Sequence, residues 1–450
     1  MDLIENLSKN IERTTFYDLP EAVILQTKKE IMDVVGCIAA GLEGHEARSI
    51  KEGLSNLNNG CIPANTVQYM MLLAVAGRAD DFDPINDDTG DHPSLSTVIS
   101  GIILTSIIKR EITGKELLTA IALGEDLVLR IRKGTSQRLG EHPWVAGTFA
   151  SFAAAATASK LLGLNHVQIR NALGLAYTTC SNTVQGLREG TSSYKLHHGW
   201  AIRAGFEAAF YAAAGITGVQ NAFEGEYGLY NVYHAGNYDR DKIISDLGTY
   251  FHNLSVGFKP FPCCRLMHGA TEAALCIKKE TKIKREQIEN VTARVNKSAF
   301  VLCGKQPWKT PGSLEELRFN IPYGAAVALE DGHVGLRHFT KEMINNNKIM
   351  ELCSKVQVLE DSRLNETKKQ IAPTIVDVRL KSGELFSKTI EVPKGHPEKP
   401  LSFDELKTKF ENNIAHANIG DEYKVNEIVD SIYKLEEADR TGQIFSLLWK

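Results

Sequence analysis

The sequence predicts a mainly α protein: a large all-helical domain with a smaller α+β domain inserted into it. Three observations predict this. Helical patterning fills the first 230 residues, strand-like alternation is confined to the chain after about residue 260, and helical periodicity returns near residue 400. The expected division is 1–260 plus 400–450 for the helical domain and 261–399 for the insertion.

LPEAVILQTKKEIMDVVGCIAAGLEG (19–44) has Pro20 near a helix start and ends in glycines, as a capped helix should. SLSTVISGIILTSII (94–108) and VAGTFASFAAAATASKLLGL (145–164) are apolar, but the first is short and the second is interrupted by Lys160. A membrane span needs about 20 predominantly apolar residues, so both read as buried core helices and no membrane association is expected. GKELLTAIALGEDLVLRIR (114–132), HVQIRNALGLAYTTCSNTVQGL (166–187) and GWAIRAGFEAAFYAAAGITG (199–218) are rich in Ala, Leu and Gly, which lets helices approach closely.

Beyond residue 260 the texture changes. GATEAALCIKKET (269–281) is helical, IENVTARVN (288–296) has the β-branched alternation of a strand, and RFNIPYGAAVALEDG (318–332) predicts a helix beginning near Pro322. APTIVDVRLKSGELFSKTIEV (372–392) is two alternating runs around SGE, a hairpin signal. GHPEKPLS (395–402) is a Pro-rich connector, after which FDELKTKFENNI and VNEIVDSIYKLEEAD return to helical spacing.

Composition excludes several classes. A net charge of −4 over 450 residues gives no bulk attraction to nucleic acid. The opening DLIENLSKNIERTTF has no apolar h-region, so a cytoplasmic protein is expected. The eight cysteines are scattered without a CxxC pair, which argues against a disulfide framework, a zinc ribbon or an iron–sulfur cluster. No metal or cofactor is expected.

The densest chemistry lies in DDFDPINDDTGDHP (80–93). A calcium loop fails, because Ile85 and Asn86 or Asp88 fall where an EF-hand needs an oxygen ligand and glycine. A solvated turn with Asp88 or Asp91 as a helix cap accounts for the spacing. The alternative is a pocket, since Asp81 and Asp83 follow one apolar helix (MMLLAVAGRA) and His92 precedes another. GEHPWVAG repeats the pattern: His142 stands just before a proline at a helix start, where the positive dipole end favours the neutral imidazole of a general base. EGTSSYKLHHGWAIRAG places Lys195, His197, His198 and Arg203 together, either a basic turn or a carboxylate-binding cluster. GFKPFPCCRLMHGA interleaves Lys259, Arg265 and His268 with prolines at the expected domain junction, where ligand sites concentrate.

These blocks, in this order, resemble the MmgE/PrpD family nearly end to end. The opening helix, DFD followed by HPS, EHPWVAGTFASFAAAATASKLLGL, YKLHHGWAIRAG, KPFPCCRLMH, FNIPYGAAVALEDG and GHPEKPLSFDELKTKF each resemble a family block. The resemblance implies an all-helical domain with an α+β lid, a homodimer, and a cofactor-independent lyase acting on a small polycarboxylate. Dehydration of a 2-methylcitrate-like acid is the leading expectation. Epimerisation of an iminodisuccinate-like dicarboxylate and decarboxylation of a cis-aconitate-like acid are the alternatives, and a non-catalytic carboxylate-binding protein is a further one. Carried across by motif, the catalytic residues are His142, His92, Asp81, Tyr323 and Lys195, and the substrate contacts Lys259, His268 and Asp83, to which the basic clusters add Arg265 and His198. One departure stands out: Pro84 and Ile85 replace the family's Asp-Thr, so its hydroxyl is missing unless Thr89 folds back to supply it.

Overall fold

The computed structural model describes residues 2–61, 66–135, 143–144, 146–189, 191–304, 313–365, 371–418 and 422–449. The fold is mainly α, as expected. Helices Glu21–Gly41, Tyr69–Arg78, Pro93–Ile107, Gly114–Lys133, Ala150–Leu161 and Ser193–Ala213 surround one apolar core. The Pro93–Ile107 helix is apolar on every side because every side is covered: Leu95, Val98, Ile99, Ile102 and Ile103 are all inaccessible to solvent. The Phe403–Ala417 helix packs its Leu406, Phe410 and Ile414 into the same core, against the Glu21–Gly41 helix.

A separate apolar cluster gathers only side chains between Cys263 and Ile390. It lies between helices His268–Thr281 and Ile321–Asp331 and a four-stranded sheet. The sheet order is β4 (Val356–Glu360), β3 (Ile288–Val295), β5 (Thr374–Leu380), β6 (Leu385–Ile390), with β3 and β4 parallel and the other pairs antiparallel. The expected hairpin is β5–β6; β4 has no counterpart in the sequence reading.

Two helices differ from their expected spans. The one expected over 166–187 ends at Tyr177, where Thr178 and Thr179 turn their hydroxyls back onto the carbonyls of Leu175 and Ala176. The one expected from Gly199 begins at Ser193, so Tyr194, Lys195 and His198 are helical rather than in a turn. Its close neighbours depend on glycine: a Cβ at Gly205 would lie 2.0 Å from the Ser151 carbonyl oxygen, and one at Gly199 2.5 Å from Met71 Sδ.

Two strands matter most for the site. β1 (Ile85–Asn86) pairs antiparallel with β2 (Val256–Gly257), in register Ile85↔Gly257 and Asn86↔Val256. This pairing fastens the acidic stretch to the chain just before Lys259. No described helix is long and apolar enough to cross a membrane.

Candidate active site

The acidic stretch is not a solvated turn. Asp81, Asp83, Asp87, Asp91 and His92 are all buried, and only Asp88 is exposed. Buried carboxylates need partners, and each has a cation. Arg78, from the last turn of the Tyr69–Arg78 helix, lies 2.6 Å from Asp83 Oδ1 and 3.2 Å from Asp81 Oδ1. Asp87 takes Arg265 in a two-point grip of 2.8 Å at each oxygen, and Asp91 takes Arg132 at 2.8 Å.

Asp81 sits at φ +48°, a left-handed conformation that aspartate tolerates better than most side chains. The turn aims both its carbonyl and its carboxylate at Lys259 Nζ, at 2.8 and 2.9 Å. Arg78 and Lys259 therefore share one carboxylate. The Asp81 and Asp83 carboxyls are held well below the usual range despite burial, because Lys259 and Arg78 lie against the first and Arg78 and His92 against the second.

His92 occupies the N-cap position of the Pro93–Ile107 helix. Its Nδ1 lies 2.9 Å from the Pro84 carbonyl, 3.0 Å from Asp83 Oδ2 and 3.0 Å from Arg78 Nη1. Nε2 lies 3.1 Å from the same Arg78 Nη1. Burial, and then the Arg78 charge, push this imidazole below its ordinary value, so it stays neutral at physiological pH. His198 approaches His92 edge-on, with ring centres 6.1 Å apart, and is pushed down further by burial, Arg78 and His92.

The remaining expected residues divide by whether their donors are spent. Lys195 has three N–H groups and three acceptors, Glu315 at 2.6 Å, Glu46 at 3.0 Å and the Ala79 carbonyl at 3.2 Å. Arg265 is saturated as well: besides Asp87 it reaches His268 Nδ1 at 3.1 Å and the carbonyls of Lys394 and Pro393. His268, wholly buried, accepts from Arg265 and places Nε2 3.2 Å from the Cys263 carbonyl, so both its nitrogens are engaged. The structure does not bring Tyr323 to this cluster. Its hydroxyl donates to the His338 carbonyl inside the second core, where its ring packs on Phe339. Thr89 does not replace the missing family hydroxyl, because its Oγ1 bonds Asn86 Oδ1 at 3.0 Å within its own turn. His142 lies outside the described residues.

Unspent capacity remains elsewhere. Lys259 uses two of its three N–H groups, both on Asp81. Arg78 Nε, although buried, has no hydrogen-bond partner among the described residues. The ring nitrogens of His198 bond no described residue, and the buried hydroxyl of Tyr194 has no partner either. Arg78 and Tyr194 were missed at the sequence level. An arginine closing the apolar run MMLLAVAGRA reads as an ordinary basic last turn, and Tyr194 is one more aromatic beside Lys195. Cations with spare donors beside neutral imidazoles are equipped to hold a small carboxylate and spread developing negative charge.

Comparison with known proteins identifies the family. The profile of the MmgE/PrpD N-terminal domain matches residues 5–241, and that of the MmgE/PrpD C-terminal domain matches residues 261–435. Curated relatives include the cis-aconitate decarboxylase of Homo sapiens, 29% identical over an alignment covering 96% of this chain and 91% of that protein. The Mus musculus protein of the same name is 26% identical (96% and 90% covered), and that of Aspergillus terreus strain NIH 2624 is 22% identical (96% and 92%). With two family domains matched in order over most of its length, this chain belongs to the MmgE/PrpD family.

Proposed function

We propose that this protein is a cofactor-independent lyase that decarboxylates a cis-aconitate-like acid. One observation carries the reading: Arg78 and Lys259 lie buried on the same Asp81 carboxylate, each with an uncommitted N–H donor, beside two imidazoles held neutral. The near full-length relatives named cis-aconitate decarboxylase favour this alternative over the dehydration expected first. In such an acid the C–CO₂ bond beside the alkene breaks and its electron pair forms a new C=C bond. The former π pair moves to the far alkene carbon, is delocalised into the carboxylate attached there, and takes one proton. Arg78 and Lys259 would stabilise that carboxylate as it gains charge, and His198 would hold a second one.

We further assign residues 1–260 with 400–450 to the helical domain and 261–399 to a lid across the site. A cytoplasmic homodimer completes the proposal, on the family resemblance. The test is incubation with citrate-, aconitate- and aspartate-derived acids in deuterium oxide. CO₂ release with one solvent deuterium per product is expected. A new conjugated alkene without CO₂ would replace the reading with dehydration, and exchange without net turnover would replace it with epimerisation.

A further inference from the structure

Protonation at carbon needs an acid within the site, and three of the expected ones are already committed. His92 is held neutral by burial, and both its ring nitrogens are engaged, Nδ1 beside the Pro84 carbonyl and Arg78 and Nε2 beside Arg78. Lys195 is saturated by Glu46, Glu315 and Ala79, and Tyr323 is spent on the His338 carbonyl. Tyr194 is different. It lies in the first turn of the Ser193–Ala213 helix, one turn before His198 and on the same face. Its ring is fixed edge-on to Phe319, with centres 6.4 Å apart, and Lys195 Nζ lies 5.8 Å from its centre. The side chain is buried, close enough to Asp81, Arg78, Glu315 and Arg318 for their charges to act on it, yet its hydroxyl has no hydrogen-bond partner among the described residues. A buried hydroxyl without a partner is destabilising, so a position that keeps one in reach of the substrate cations has a use for it.

We infer that Tyr194 is the proton donor to the carbanion left by decarboxylation. The inference rests on the lyase reading above. In the step, the phenol O–H bond breaks and the carbon–hydrogen bond forms. The Arg78 charge favours the phenolate left behind, which is reprotonated by solvent before the next turnover. Burial raises this phenol well above its ordinary value, so the proton is present throughout the neutral range and is given up only to a strong carbon base.

The experiment is Tyr194→Phe in the full-length protein, with kcat and KM measured beside the melting temperature. A donor role predicts a loss in kcat of about 10²–10⁴-fold, KM within about threefold, and a melting temperature unchanged or raised. That combination separates the donor role from a structural one, since removing an unpartnered hydroxyl relieves the fold while it disables the chemistry. Undiminished kcat in the variant, with an active wild type, overturns the donor role and leaves the lyase reading standing. A variant that loses activity only in proportion to a lowered melting temperature also overturns it. A wild type that decarboxylates none of the acids overturns both.

Discussion

The buried charges around Asp83 permit a prediction whose size follows from the structure. Arg78 and Lys259 supply two positive charges and Asp81 and Asp83 two negative ones, all out of solvent. Asp83→Asn keeps the shape and one oxygen for Arg78 but leaves an excess buried positive charge. Breaking a buried pair by removing one partner costs about 3–5 kcal/mol, and the retained amide oxygen places this variant near the lower end. Urea denaturation at neutral pH is the assay, read as a lowered midpoint at unchanged slope. The pH dependence has a definite sign. Because the folded Asp83 carboxyl lies below its unfolded value, its contribution is complete above about pH 4 and fades as the pH falls further. The deficit of the variant should therefore shrink in acid. Adding Arg78→Met restores charge balance, so the double variant should be less destabilised than the sum of the single ones. Strict additivity, or a single variant as stable as wild type at neutral pH, would refute the charge balance drawn here.

Two further outcomes follow from other titrating groups. Glu30 and Glu125 are wholly buried against one another; burial raises both, Glu125 to about 7 against the hydrogen bonds that lower it, and the Glu125 charge and hydrogen bond raise Glu30 further. A raised acid stabilises below its unfolded value near 4.5 and loses that contribution as pH rises through about 7, a difference of about 3 kcal/mol; Glu125→Gln should flatten that decline and exceed wild-type stability at about pH 8 in urea melts. In the rate profile, a phenol donor predicts that kcat/KM holds steady as pH rises from about 6 to about 9. A decline centred near pH 6.5 would identify an imidazolium donor instead.

Much of the architecture was legible because it is local. Pro20, Pro93 and Pro322 stand at helix starts, the alternation of 288–296 and 372–392 became β3 and the β5–β6 hairpin, and small residues stand where helices touch. β4 escaped because VQVLE is short and half exposed, and its place beside β3 is set by pairing with distant residues. The site was legible as a set of blocks: Asp81, Asp83, His92, His198 and Lys259 converge from three separate stretches of sequence.

By itself the sequence determined the helical and α+β composition, the family, and which stretches carry the chemistry. Tertiary structure decided which side chains have anything left to give. Lys195, Lys259, Arg265 and Tyr323 look equally available along the chain. Partners 120 and 178 residues away saturate the first and leave the second a free N–H. Arg265 is consumed by Asp87, also 178 residues away, and Tyr323 by a backbone carbonyl. The physical reason is that local patterning specifies backbone conformation through steric and capping preferences. Hydrogen-bond saturation and burial depend on which distant groups the fold brings within about 3 Å. The β1–β2 pairing fastens the acidic stretch in place, where four of its six aspartates are buried and two of them, Asp81 and Asp83, frame Arg78.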